Sequence, residues 1–514
     1  MIIKVILLVV FFAVLISVGA ICHKTSANVE GFVLGGRSVG PWLTAFAYGT
    51  SYFSAVIFIG YAGQFGWKFG VSSTWVGIGN ALIGSLMAWL LLARRTRLMS
   101  HKLDSKTMPD FFAKRYDSES LRIGASVIIF IFLIPYTASL YNGLSRLFGM
   151  AFDIKYEYCI LAMAILTAIY VIAGGYMATA VNDFIQGIIM LIGIVAVIVA
   201  VLNINGGLSG SIDKLSDISG EYEAGAFTKL FGPKPFDLSF VVILTSLGTW
   251  GLPQMVQKFY AIKDEKAVTR GTIISTIFAV IVAGGCYFLG GFGRLFVTGD
   301  ATVEKGGAIV PVNGFDSIVP EMLTNLNDVL IAVVVILVLS ASMSTLSSLV
   351  LTSSSTLTLD FIGPVINKKM DEKQKVTCMR VLVLVFIAIS AALALYQYNK
   401  AVTFIAQMMG VSWGALAGSF LAPFFFGLYW KGVSKLAVWV NFVAASAFMT
   451  FVAVNNVFEL NILNKFADGF FASPINSGAV AMLAGFIIVP VVSAFTKKPD
   501  ASKTAEIMAS VAKN

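Results

Sequence analysis

Long apolar runs separated by short polar stretches dominate the chain. Thirteen of them are long enough to cross a bilayer, roughly at 2–22, 41–66, 72–93, 121–147, 157–178, 183–203, 237–256, 271–296, 326–356, 379–397, 402–429, 436–454 and 476–496. Two connections, about 204–236 and 297–325, are longer, polar and glycine-bearing, with room for short helices or a lid. No water-facing stretch reaches the roughly 50 residues a compact domain needs. The ninth run has a pattern of its own. It is unbroken and apolar from Val329 to Leu339, then fills with hydroxyls at Ser340, Ser342, Ser344, Thr345, Ser347, Ser348, Thr352 to Thr356 and Thr358. At 3.6 residues per turn Ala341, Ser344, Thr345 and Ser348 share one side, with Ser347 beside them. A hydroxyl without a partner is costly in hydrocarbon, so this face must meet protein, water or an ion. Taken alone, the segment reads first as helix–helix packing through small polar residues, with a ring of neutral oxygens around a small hard cation as the alternative.

Two runs read as interrupted helices. Gly49-Thr50-Ser51-Tyr52-Phe53-Ser54 lies inside the second run, and Gly248-Thr249-Trp250-Gly251-Leu252-Pro253 inside the seventh. Glycine weakens a helix and Pro253 removes a backbone donor, so peptide groups are freed at both places. The two runs stand five apart, each at the head of a possible five-helix unit. Interruptions at matching positions of two halves are the strongest sequence pointer to a transporter binding site. Asp183 opens the sixth run, and a carboxylate there is either functional or a helix N-cap.

Composition narrows the class. Of 514 residues 58% are hydrophobic and 12% charged, and the mean hydropathy is +0.86. That describes a polytopic membrane protein. The formal charge of +9 is spread over short connections, which argues against nucleic acid as a partner. With thirteen crossings, 25 of the 36 Lys and Arg fall on the side that includes 94–122 and the C-terminus. Positive-inside then places the N-terminus outside and the C-terminus in the cytoplasm, in the inner (plasma) membrane. Residues 1–22 read as a retained first helix, since no small-residue cleavage site follows them. The four cysteines are scattered and the two histidines isolated, so no metal set, disulfide framework or nucleophile–base pair is expected. The chain is expected not to be an enzyme, and no obligatory protein partner is evident.

Three motifs carry a family resemblance. Phe32-Val-Leu-Gly-Gly-Arg37-Ser-Val-Gly-Pro41, Gly174-Gly175 with Asp183-Phe-Ile-Gln186-Gly187, and Ala341-Ser-Met-Ser344-Thr345-Leu-Ser347-Ser348 resemble the sodium:solute symporter family, in order and spacing, over about residues 30–440. The resemblance implies an all-α, LeuT-type fold of two inverted five-helix repeats. They would span 41–203 and 237–429, with one helix before them (1–22), two after (436–496) and a cytoplasmic tail (497–514). It implies a sodium site made of the carbonyls of Thr50, Phe53 and Ala341 and the hydroxyls of Ser344 and Thr345, the side of the ninth run already singled out. It also implies a second sodium at Asp183, Ser344, Ser347 and Ser348, as in the sialic acid members. The expected activity is sodium-coupled symport of a small organic solute by alternating access. Coupling to protons through Asp183, or sodium sensing on the same fold, are the alternatives.

The solute is expected between the two interruptions, so Ser51, Tyr52, Ser54, Tyr136, Thr249 and Trp250 are its candidate contacts. Proline transporters resemble one another in an Asp within the first interruption, where this chain has Tyr52. They also carry two aromatics ahead of Gln-Pro, where this chain has Thr245, Thr249 and Leu252-Pro253. These departures argue against proline. The segment from Gly251 through Lys263-Asp-Glu-Lys266 to Arg270 looks more like the pantothenate-type branch. An amino acid, a pantothenate-like solute or another small carboxylate would suit the amide ends of half-helices.

Overall fold

The computed structural model describes residues 2–152, 154–219, 221–305, 307–400, 405–497 and 499–512. Ten helical runs among the described residues are long and apolar enough to cross a membrane. The pair Pro235–Gly251 and Pro253–Tyr260, bent by 45°, makes an eleventh. Two of the ten, at 47 and 49 residues, exceed twice the ~20 residues that a crossing needs, and both double back. In Tyr156–Ile204 the Tyr170 hydroxyl donates to the Met343 carbonyl at 2.7 Å, while Gly193 packs on Leu337. A straight helix would set residues 170 and 193 about 35 Å apart, against ~9 Å between 337 and 343. The reversal is at Gly175, whose φ of 54° and ψ of −147° suit glycine alone.

The run Val56–Lys102 turns likewise at Gly70 (φ 63°, ψ −144°). On either side of that turn the Ile57 carbonyl meets the Cys286 thiol, and the Ser73 hydroxyl donates to the Tyr287 carbonyl at 2.8 Å. The first arm continues the helix Pro41–Tyr52 across a break. With both reversals counted, the described residues make thirteen passages, near the positions that the hydropathy pattern predicts.

The differences have local causes. Asp183 does not cap a helix. With the turn at Gly175 it lies about two turns inside the second arm, fully buried. The connection at 297–325 contains an antiparallel strand pair, Thr302–Lys305 with Ala308–Pro311, where only helices or a lid were expected. Trp67 ties it down by donating its indole N–H to the Ile309 carbonyl at 2.9 Å. The segment expected as a plain tail forms a helix, Ala501–Ala512, held by Lys503–Asp117 at 2.6 Å and Lys102–Glu506 at 3.1 Å.

At the same end of the molecule a charged cluster joins three elements. Asp360 is fully buried and accepts from the Thr107 hydroxyl at 2.7 Å and from Arg122 Nε at 3.0 Å. Arg122 also bonds Asp110, which Lys114 reaches at 2.9 Å. A buried carboxylate stripped of its cation keeps its desolvation cost and loses its compensation. Arg122→Met should therefore destabilise the fold by roughly 3 kcal/mol, read as a lower thermal unfolding midpoint of the detergent-solubilised protein. Arg122→Lys should lose less.

Candidate cation and solute site

The first interruption creates unpaired acceptors. The helix Pro41–Tyr52 ends when Phe53 turns extended (φ −86°, ψ 121°), and a π-helix resumes at Val56. The Phe53 amide still donates to the Gly49 carbonyl at 3.2 Å. The Ile57 amide goes to Ser54 rather than Phe53. The carbonyls of Thr50 and Phe53 are thus left without backbone donors, and both are buried where water cannot serve them.

The hydroxyl helix Asp328–Thr356 faces this gap. Thr345 Oγ1 lies 3.2 Å from the Thr50 carbonyl oxygen, 3.3 Å from that of Phe53 and 3.1 Å from that of Ala341. Ser344 Oγ lies 3.1 Å from the Thr50 and 3.0 Å from the Ala341 carbonyl oxygen. All five groups expected around the first sodium therefore meet in one cluster. A cation held ~2.4 Å from each oxygen, a distance within the range for Ca²⁺, places neighbouring oxygens about 3.4 Å apart. A relaxation of a few tenths of an ångström admits such an ion among them. Five neutral oxygens offer a hard monovalent ion its solvation without adding a negative charge.

The four groups expected around a second ion are arranged differently. Ser344 is engaged in the first cluster, and Ser347 Oγ donates to the Ser344 carbonyl at 2.9 Å. Ser348 Oγ meets Ser51 Oγ at 2.8 Å and accepts from the Lys258 ammonium at 3.0 Å. The same ammonium is 3.6 Å from Asp183 Oδ2, with both side chains almost wholly buried. Lys258 belongs to the second half of the bent pair, Pro253–Tyr260. Sequence reading ends the span at 256 and assigns Lys258 to a cytoplasmic loop, which the structure corrects. The missed signal is its setting, Met255-Val256-Gln257-Lys258-Phe259-Tyr260, which is too apolar for a loop.

The solute candidates separate into two groups. Tyr52 and Tyr136 flank Trp413, with ring centroids 5.8 and 6.0 Å from its own. The hydroxyls of Tyr52, Ser54 and Tyr136 and the Trp413 indole N–H are buried and make no hydrogen bond of good geometry among the described residues; the Tyr136 hydroxyl is directed toward Ser54 and Trp413, and that of Tyr52 toward Tyr287. Thr249 joins Tyr52 and Phe53 around a cavity of about 10 Å³, room for at most one water. Its own hydroxyl is directed at the Gly84 and Ser246 carbonyls. Ser51 and Trp250 turn elsewhere. Ser51 bonds Ser348, on the cation side. Trp250 donates to the Ile83 carbonyl at 2.9 Å and packs near Phe425, so it serves packing between spans. Trp413 was missed because an apolar run conceals it. Gly248 makes room for it, since a Cβ there would lie 2.8 Å from its ring.

The family model of the sodium:solute symporter family matches residues 32–443. The chain belongs to the sodium:solute symporter family. Two Staphylococcus aureus sodium/proline symporters, one of them from strain NCTC 8325 / PS 47, are 29% and 30% identical to it, with 96% of this chain and 93% of theirs aligned. A substrate-bound, outward-open Na⁺-coupled sialic acid symporter superposes with a TM-score of 0.72 at 15% identity, covering 97% of this chain and 99% of its own. Mhp1 in its inward-facing conformation superposes with a TM-score of 0.52 at 14% identity, over 92% and 95%. The fold is thus the LeuT type, and the chain is a sodium-coupled symporter of a small solute. Its coupling ion is Na⁺.

A ligand that binds only the folded state raises its stability by RT ln(1 + [L]/Kd), about 1.4 kcal/mol at ten times Kd. Sodium should therefore raise the unfolding temperature of the purified protein where choline does not. Thr345→Val keeps the side-chain shape and removes the hydroxyl, so it should abolish most of that sodium-specific rise.

Proposed function

We propose that this symporter carries a small amino acid or related carboxylate into the cell, driven by sodium bound at Thr50, Phe53, Ala341, Ser344 and Thr345. The convergence of those five oxygens at the first break is the observation that carries the reading. Sodium in this cluster joins the broken span to the hydroxyl helix and so stabilises the arrangement in which the adjacent solute site is formed. Coupling needs no more than that difference in affinity between the outward- and inward-facing states. At 100 mV an inward positive charge contributes ~2.3 kcal/mol, about a 50-fold accumulation of a neutral solute before any sodium gradient is counted.

The solute is assigned to the neighbourhood of Tyr52, Ser54, Tyr136, Trp413 and Thr249, which must open to admit it, since the cavity beside Tyr52 and Thr249 is only about 10 Å³. Buried polar groups whose hydrogen bonds are poorly made are costly, and a carboxylate or amine offers these groups better partners. The relatives named as proline symporters favour an amino acid among the solute classes considered. Tyr52 and Thr249 stand where proline transporters carry other groups, so a solute other than proline is expected to be preferred. The reading assigns the two breaks to equivalent places in inverted repeats, 41–203 and 237–429, with 1–22, 436–496 and 497–514 outside them. It puts the N-terminus outside and the C-terminus in the cytoplasm. With Lys258 removed from the loop count, 24 basic residues remain on the cytoplasmic side against 11, and the orientation stands.

Uptake of labelled amino acids, pantothenate and small carboxylates into proteoliposomes, with and without an inward sodium gradient, tests the assignment. One solute should accumulate only with sodium. Ser344→Ala and Thr345→Ala should each raise the sodium concentration for half-maximal uptake by tenfold or more, as expected for lost contacts to a charged group. Uptake indifferent to sodium, or unchanged in both variants, contradicts it. Tyr136→Phe should raise the KM for solute by about tenfold with little change in sodium dependence, and equal shifts in both would move Tyr136 out of the solute site.

A further inference from the structure

Lys258 places a fixed positive charge at the position where the family resemblance implies a second sodium. Its ammonium lies between Asp183 Oδ2 at 3.6 Å and Ser348 Oγ at 3.0 Å, and 5.1 Å from the centre of the Tyr176 ring. An aromatic face stabilises a cation at that range. Asp183 accepts no hydrogen bond among the described residues, so the ammonium is what compensates its charge. A buried carboxylate without a cation is strongly disfavoured, and so is a buried ammonium without an anion. A sodium ion in the same place would put two cations against one carboxylate and compete with Lys258 for both oxygens.

We propose that Lys258 is a tethered cation that replaces the second sodium, leaving this transporter with a single sodium ion per cycle. The proposal rests on the sodium reading above and refines its stoichiometry. The ammonium is anchored on the second half of one broken span, Pro253–Tyr260. Its partner Ser348 bonds Ser51 beside the other break. The pair therefore joins both interrupted helices to the hydroxyl helix and to the arm that carries Asp183. An exchangeable ion would make the same links only while bound. Lys258 makes them with no ion supplied and contributes no charge movement from the outside solution.

Equilibrium binding of ²²Na⁺ to the full-length protein in lipid nanodiscs tests this. Wild type should bind one ion per chain. Lys258→Ala leaves Asp183 uncompensated and should bind one more ion than wild type. Lys258→Gln should do the same while keeping a polar group near Ser348. The double variant Asp183→Asn/Lys258→Met removes both charges and should return to the wild-type number. Two ions in wild type, or no gain in either single variant, would overturn the proposal. If the single variants are unstable, sodium but not choline should restore their unfolding temperature, and absence of that rescue overturns it as well. A wild type that binds no sodium would refute the sodium reading instead, since the gain on removing Lys258 tests the lysine separately.

Discussion

The controlling constraint is that a peptide group freed inside a membrane protein must find another partner. Extending the backbone at Phe53 strips the Thr50 and Phe53 carbonyls of their helical donors in a place without water. Thr345 and Ser344 supply hydroxyls to those oxygens, and the resulting cluster has the chemistry of a sodium shell. The break and the hydroxyl helix therefore require each other. Neither is favourable alone, because the break orphans acceptors and the helix buries hydroxyls. On the proposed reading a small cation reinforces both, and ion binding becomes a conformational force.

Charge is handled in the opposite manner a few ångströms away. The first cluster is built of neutral oxygens, whereas Asp183 and Lys258 form a closed pair. The same logic recurs at the end that carries the helix Ala501–Ala512, where Arg122 compensates Asp360 and Asp110. Among the described residues, fixed cations accompany the buried carboxylates of Asp183, Asp360 and Asp110, and the proposed exchangeable ion is assigned to a cluster with no formal charge.

Much of this was legible in the sequence because hydrocarbon imposes strict patterns. Run lengths located the passages, Gly-Thr-Ser-Tyr-Phe-Ser and Gly-Leu-Pro marked the breaks, and helical spacing gathered Ala341, Ser344 and Thr345 on one face. What stayed hidden depended on contacts between distant segments. Asp183 was read as the beginning of a helix because the reversal at Gly175 needs only one positive-φ residue and leaves no polar gap. Lys258 was read as a loop residue because positive charge ordinarily marks the membrane edge, and only its partner 75 positions earlier reveals it as buried. Trp413 is invisible within an apolar run, and the sequence alone does not show that the Trp250 indole bonds the Ile83 carbonyl.

The most direct test of the central claim is a high-resolution structure determined in saturating sodium and again with choline in its place. The account predicts sodium-specific density at ion-coordination distance from the oxygens of Thr50, Phe53, Ala341, Ser344 and Thr345, with the Lys258 ammonium still between Asp183 and Ser348. Density absent from the five-oxygen cluster, or a sodium ion beside Asp183 with Lys258 displaced, would contradict it.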